Sequence, residues 1–240
     1  MRSFHVISCT ALLVVASGLL LALRPACSQP PAQSSAEGPS ITLPAARLTS
    51  TVSLEQAIQK RRSVRRYRDQ ALTLEQVGQL LWAANGVTGP DARYRAAPSA
   101  GALHPADFYL VAGVGSVGGL DAGVWHHEPE PHSIRQVRSG DVRRELAGLC
   151  MGQRHVAIAE VVVAVTVEYA RTNQKYGELG QRYALVDAAM AAENLLLQVE
   201  ALGLAACVIG GFRAKELGPL LGIPREHEPV ILVTVGYPEA

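Results

Sequence analysis

Residues 182–211 read RYALVDAAMAAENLLLQVEALGLAACVIGG, a long amphipathic segment followed directly by a short apolar one. Apolar side chains recur at helical spacing and predict a helix over 182–202, which Gly203 ends. The apolar run at 204–209 then predicts a buried strand. The face expected to pack on the core comprises Leu185, Ala188, Ala189, Ala192, Leu195, Leu196, Val199 and Leu202.

The pattern on either side of this stretch continues as a mixture of helices and strands. Upstream, two capping boxes, one at Ser53 and one at Thr73, predict two helices, the second ending near Asn85. Further strands are predicted at 108–112, 123–127, 133–137, 160–167 and 230–235, and further helices at 141–149 and 213–221. Two helices followed by this alternation indicate the α+β (mixed α/β) class.

The N-terminus has the three-part pattern of a secretory signal. Arg2 precedes an apolar run from Ala11 to Leu23, and small residues follow near residue 28. We therefore expect a signal peptide over 1–28, a flexible linker over the Pro- and Ser-rich 29–48, and one folded domain over 49–240. The predicted location is exported, either periplasmic or extracellular. An uncleaved leader is the alternative, and it would anchor the protein to a membrane.

Charge and cysteine content exclude several classes. The formal net charge of +1 gives no basic field for nucleic acid, and no nucleic-acid partner is expected. Cys150 and Cys207 are the cysteines of the predicted domain, so at most one disulfide could form there. His126 and His127 are adjacent on a predicted strand and would face opposite ways, so no metal site is predicted.

Three short segments could carry chemistry. The first, RRSVR, contains Arg61, Arg62, Ser63 and Arg65, which suit a phosphate group, although a solvated charge run is the alternative. The second lies within the loop 86–105 and reads PSAGALHP at residues 98–105, where small residues let backbone approach a flat ligand. The third, Gly210-Gly211, ends a predicted strand. It is not a GxGxxG motif, so no Rossmann site is indicated.

RRSVR, PSAGALHP, KYGELGQRY, GLAACVIGGF and VGYP, in this order over about residues 53 to 238, resemble the nitroreductase superfamily. PSAGALHP and KYGELGQRY resemble its SagB-type dehydrogenases, whose characterised members oxidise peptide azolines with FMN. The resemblance implies a mixed central sheet flanked by helices, and a homodimer with FMN at the interface. It implies a small-molecule or peptide substrate, with NAD(P)H as electron donor if the enzyme works reductively.

The resemblance also implies roles for single residues. The FMN phosphate and ribityl chain would be held by Arg61, Arg62, Ser63 and Arg65. The flavin would be approached, commonly from the other subunit, by Pro98, Ser99 and Ala100, with Leu103 and His104 near that edge. Gly210 and Gly211 would lie against the ring.

Lys175 and Tyr176 would be the catalytic acid/base pair, because azoline-oxidising relatives use a Lys-Tyr pair in this role. An exposed loop pair without function is the alternative. The predicted function is an FMN-dependent oxidoreductase of SagB type. The alternative from a different class is a non-catalytic, exported flavin-binding or flavin-scavenging protein.

Overall fold

The computed structural model of the protein describes residues 38–239, so the predicted signal peptide and the start of the predicted linker lie outside the described residues. The helices are α1 Leu54–Lys60, α2 Leu74–Asn85, α3 Arg143–Leu149, α4 Arg154–Ile158, α5 Tyr169–Tyr176, α6 Leu179–Ala201 and α7 Ala214–Leu221. The strands are β1 Ser40–Thr42, β2 Tyr67–Arg68, β3 Ala106–Ala112, β4 Gly123–Glu128, β5 Ser133–Ser139, β6 Val161–Val167, β7 Ala205–Ile209 and β8 Glu228–Pro238.

The strands form one sheet in the order β1-β5-β4-β3-β6-β8-β2, with β7 also paired to β8. Strand β6 lies near the middle, and all seven of its residues are buried, as its run of valines predicts. The paired strands of the described chain are antiparallel, and parallel contacts are limited to isolated bridges such as the one between Ser63 and Ala206. The predicted α+β class is confirmed.

Both predicted capping boxes are present. Ser53 accepts a hydrogen bond from the backbone N–H of Gln56, and Thr73 accepts one from Gln76, while each glutamine side chain returns to the cap residue. These reciprocal bonds satisfy backbone donors that would otherwise lack partners, and so fix where α1 and α2 begin. The sequence therefore set the start of both helices correctly.

Helix α6 packs on the sheet through a face that differs from the predicted one. Leu185 is 45% exposed and Ala189 is also exposed, while Ala184 and Asp187 are buried. Asp187 is held inward by hydrogen bonds to the loop before β3, and Leu185, two positions away, consequently points to the opposite side. The prediction for Leu185 and Ala189 was wrong, while Ala188, Ala192, Leu195, Leu196 and Val199 are buried as predicted.

One further prediction needs correction. The predicted flexible linker contains β1, which pairs with β5, and Leu43 just after it is buried in the core. Lys175 and Tyr176 lie in the last turn of α5 and not in a loop.

Cys150 and Cys207 are both buried free thiols, and burial raises the pKa of Cys150 to about 11. Within residues 38–239, no helix has the length and hydrophobicity to cross a membrane.

Candidate functional site

The RRSVR segment runs beside β7. Arg61 is the C-cap of α1, and three residues later the backbone N–H of Val64 donates to the carbonyl of Ala206 at 2.8 Å. Gly210 lies four residues beyond Ala206 along this strand, which corresponds to about 13 Å at the usual strand rise. The fold thus brings two of the predicted segments into one line, with the arginines at one end and the glycine pair at the other.

The side chains of RRSVR are available to different degrees. Arg61 Nε lies 3.9 Å from Glu193 Oε1 on α6, a loose ion pair. Arg62 donates through Nη1 to the carbonyls of Gln59 and Arg61, so part of its guanidinium is used to close α1. Arg65 lies near Cys207, and its charge partly offsets the burial that raises the pKa of that thiol. Ser63 and Arg65 are exposed. Of the four residues, Arg62 is the least available to a ligand, because its side chain bonds two backbone carbonyls.

Gly210 and Gly211 form an open, exposed surface. A Cβ added to either would meet no atom within 4 Å. No packing within the described part of the chain therefore requires glycine at these two positions. A flat ligand lying against the backbone would require it, since it would occupy the space that a side chain would fill.

The PSAGALHP loop is fixed by Asp187. Ser99 Oγ donates to Asp187 Oδ2 at 2.7 Å, and the backbone N–H of Ala100 donates to the same oxygen at 3.0 Å. Ser99 Oγ also accepts from the backbone N–H of His104 at 2.9 Å. A hydroxyl has one proton to donate, and Ser99 uses it to hold the loop to α6.

Sequence reasoning missed Asp187. The available signal was a single acidic residue inside an apolar stretch of helix, which is costly to bury unless hydrogen-bonded.

The Lys-Tyr pair contacts the same loop. Gly101 has a φ of 63°, and a Cβ built on it would lie 2.7 Å from Lys175 Nζ and 2.8 Å from Tyr176 Oη. The ring of Tyr176 packs edge-on against that of Tyr183, with centroids 4.9 Å apart. Lys175 is exposed and Tyr176 is half-buried. Two motifs separated by about seventy residues in sequence therefore meet at a single glycine.

Leu103 and His104 face a different space. Both line an open cavity of about 630 Å³, where His104 Nε2 lies 3.2 Å from the carbonyl of Arg93. Burial and the nearby charge of Arg95 lower the pKa of His104. His104 also has a φ of 45°, a left-handed conformation that residues with a Cβ rarely adopt. The PSAGALHP loop thus presents Gly101 to the Lys-Tyr pair and Leu103 and His104 to the cavity.

A half-buried charge cluster adjoins this cavity and was not predicted. Arg171 Nη2 lies 2.9 Å from Asp107 Oδ2, and His126 Nε2 lies 3.3 Å from Oδ1 of the same carboxylate. Burial alone would raise the pKa of Asp107, but His126 and Arg171 outweigh it and lower that pKa. Glu168 and His227 complete the cluster. It ties β3, β4 and α5 together beneath the PSAGALHP loop.

No group of three or more potential metal ligands occurs among the residues that the structure describes. His126 bonds Asp107, whereas His127 is 1% exposed and neither of its ring nitrogens has a partner.

Helix α6 connects the two parts of the site. Asp187 holds the PSAGALHP loop, and Glu193 lies beside Arg61, six residues further along the helix, or about 9 Å at the usual rise. Directly after Glu193, the side chain of Asn194 donates to the carbonyl of Ala96 at 3.1 Å. One rigid helix thus sets the spacing between the basic segment and the loop that meets the Lys-Tyr pair.

The sequence model of the Nitroreductase family matches residues 58–237, which include every segment described above. The chain belongs to the nitroreductase family. A nitroreductase-like protein of Methanocaldococcus jannaschii is 36% identical over 185 residues, which is 77% of this chain and 91% of that protein. The NADPH-flavin oxidoreductase of Vibrio harveyi is 29% identical over 116 residues, 45% of this chain and 48% of that enzyme.

The crystal structure of a nitroreductase-like protein from Ralstonia eutropha JMP134 superposes with a TM-score of 0.73 at 27% identity, covering 84% of this chain and 90% of that one. The predicted nitroreductase-like fold is therefore confirmed, and the protein is an oxidoreductase of the nitroreductase family.

Proposed function

We propose that this nitroreductase-family protein is an FMN-dependent oxidoreductase of SagB type, acting on a small molecule or a peptide heterocycle such as an azoline. The observation that carries the proposal is the contact of Gly101 with both Lys175 Nζ and Tyr176 Oη. It joins the two motifs, PSAGALHP and KYGELGQRY, that distinguish the SagB-type resemblance within the family. A pair of titratable side chains held against a ligand-binding loop is suited to acid/base work.

The residues of the site fit FMN. Half-buried Arg61 and exposed Arg65, with the exposed hydroxyl of Ser63, offer charged and neutral donors for a phosphate at one end of the line along β7. Gly210 and Gly211 offer open backbone for a flat ring at the other. FMN, when bound, would supply the hydride acceptor or donor. The name of the Vibrio harveyi relative, an NADPH-flavin oxidoreductase, supports a flavin here and NAD(P)H as a donor if the enzyme works reductively.

The Lys-Tyr pair would accept the proton that the substrate loses on oxidation. Oxidation of an azoline removes a hydride and also a proton from carbon, and Lys175 or Tyr176 would take that proton. Lys175 Nζ lies 5.4 Å from the centre of the Tyr176 ring, so the two groups can act on the same substrate atom. Tyr183 fixes the orientation of the Tyr176 ring by edge-on packing.

A homodimer belongs to the proposal. Leu179, Leu185 and Val186 at the start of α6, and Val208 on β7, are each more than 40% exposed. Large apolar side chains grouped on two neighbouring elements are a common sign of an interface. Export is also proposed, and it rests on the signal-like residues 1–28.

The test begins with the visible absorption spectrum of the purified protein and the mass of any chromophore released from it. We expect a yellow protein that releases FMN. Turnover is then measured with an azoline peptide, NADH and NADPH as donors. Lys175→Ala should keep the flavin and lose azoline oxidation by about 100-fold or more, the usual contribution of a positioned acid or base. Arg144→Ala, which removes an exposed cation on α3, is the control and should leave the rate unchanged.

The alternative outcomes are distinct. A colourless protein that does not bind added FMN would contradict the proposed function. A yellow protein inactive with all three donors would favour a non-catalytic flavin-binding protein. A yellow, active protein in which Lys175→Ala turns over normally would leave the flavin assignment in place and reject the role of the Lys-Tyr pair.

A further inference from the structure

The cavity next to the PSAGALHP loop has an arginine without an ion-pair partner in its wall. Three arginines line it, and two of them are paired. Arg93 lies 3.0 Å from Asp91, and Arg171 lies 2.9 Å from Asp107 and 2.6 Å from Glu168. Arg95 forms no ion pair with a carboxylate anywhere in residues 38–239.

Arg95 is held in place by neutral groups. Its Nε donates to the carbonyl of Ala92 at 2.9 Å, and Nη1 lies 3.4 Å from the backbone and side-chain oxygens of Asn85. These contacts fix the guanidinium without neutralising it, and Nη2 makes no hydrogen bond to the described residues. Burial lowers the pKa of Arg95, and the more distant carboxylates of Glu130 and Asp107 offset this effect only in part.

The remaining wall suits a small organic ligand. The cavity volume of about 630 Å³ is within the usual range for small-molecule sites. Ala102 and Leu103 provide apolar surface. His104 adds little positive charge, since burial lowers its pKa. One fixed, unpaired guanidinium beside apolar surface matches a ligand with a single negative group and an apolar body.

We propose that this cavity is a carboxylate-binding subsite, in which Arg95 pairs with the anionic group of a small organic acid. A carboxylate would meet the guanidinium as a charge-assisted hydrogen-bond acceptor and balance the charge that the protein leaves unpaired. The subsite stands on the cavity and does not depend on a flavin.

Its link to the chemistry does rest on the proposed function. Ala102 in the cavity wall directly follows Gly101, which contacts Lys175 and Tyr176. Arg171, also in the wall, lies one turn before Lys175 on α5. The cavity wall and the Lys-Tyr pair thus share the PSAGALHP loop and α5, and on the proposed function the subsite would select carboxylate-bearing substrates.

The test uses benzoate and its neutral isostere benzamide as probes, titrated by calorimetry against the purified protein with and without added FMN. Benzoate should bind at least about 10-fold more tightly than benzamide, the factor expected for one charge-assisted contact. Arg95→Gln should abolish this preference, while the control Arg144→Gln, on the exposed side of α3, should retain it. Equal binding of the two probes, or an unchanged preference in Arg95→Gln, would overturn the proposal.

A second measurement on the wild-type protein covers the case in which Arg95→Gln fails to fold. Phenylglyoxal modifies arginine side chains, and peptide mass spectrometry reports each site separately. Benzoate should slow the modification of Arg95 and leave that of Arg144 unchanged. Equal modification of Arg95 with and without benzoate would overturn the proposal. If benzoate binds but FMN does not, the subsite stands and the proposed function fails.

Discussion

Gly101 is the residue on which the site depends most. Its positive φ and the closeness of Lys175 and Tyr176 are independent demands, and only glycine meets both. We expect Gly101→Ala to lose about 1 kcal/mol of unfolding free energy through its left-handed backbone, and also to displace the Lys-Tyr pair and lower turnover at least about 10-fold. Denaturant unfolding and steady-state rates measure the two effects.

Gly115→Ala is the matched control for this prediction. Gly115 has a φ of 68°, but an added Cβ would meet nothing within 4 Å. It should therefore show the backbone cost alone and full activity. If both variants are equally active, the pair does not depend on its packing against Gly101.

At the scale of single residues, the members of the site could be predicted from the sequence, but their hydrogen-bond and ion-pair partners could not. The four residues of RRSVR, the PSAGALHP loop and the Lys-Tyr pair could be found from motifs. The commitment of the Ser99 hydroxyl to Asp187 could not, because it joins residues 88 positions apart. The absence of an ion-pair partner for Arg95 could not be predicted either, because it depends on which residues form the whole cavity wall.

At the scale of the element, strand β4 contains a buried group that should make stability depend on pH. Burial, with a smaller contribution from His132, lowers the pKa of His127 to about 3. Between the ordinary value of 6.5 and about 3, the unfolded chain binds a proton at this position that the folded chain does not. Stability is therefore greatest above the unfolded pKa and falls on acidification through that window, by up to about 1.4 kcal/mol per pH unit.

His127→Phe should remove this dependence. Neither ring nitrogen of His127 has a hydrogen-bond partner, so an apolar ring should cost little at neutral pH. Urea unfolding at neutral and acidic pH should give a shallower loss of stability for the variant than for the wild type. Parallel pH profiles for the two proteins would show that His127 does not titrate between the folded and unfolded states.

Elements with strong local signals were predictable. The capping boxes placed α1 and α2, and the valine run placed β6. Strand β1 was missed because three residues between prolines give no periodicity, and its partner β5 lies about ninety residues away. Helix α5 was missed because its sequence YARTNQKY is polar, and its order depends on Arg171 bonding the carbonyl of His104 at 2.8 Å.

At the scale of the whole molecule, the proposed dimer should depend on the apolar start of α6. Val186 is 46% exposed there, with Leu185 beside it. Val186→Glu would place a charge in the proposed interface, and we expect the dimer dissociation constant to rise at least about 10-fold, the factor for roughly 1.4 kcal/mol. Sedimentation measures this constant, and the flavin content should fall with it.

Met151→Glu is the control for the dimer, because Met151 is 69% exposed in the turn after α3, outside α6 and β7. It should sediment as the wild type does. A monomeric wild-type protein, or a Val186→Glu variant that remains fully dimeric, would exclude this surface as the interface.

The late position of strand β8 in the chain determines when the sheet can be completed during synthesis. It pairs with β6 along one side and with β7 and β2 along the other, and all three partners precede it in the chain. Tyr67 on β2 pairs with Pro238 on β8, so this strand pairing joins residues separated by most of the domain. Until the ribosome has made residues 228–238, β6 lacks its partner on one side, and β7 and β2 lack the strand that joins them to the sheet. The domain therefore completes its fold only after residues 228–238 have left the ribosome, and until then its nascent chain is available to chaperones or to an export machinery that accepts unfolded chains.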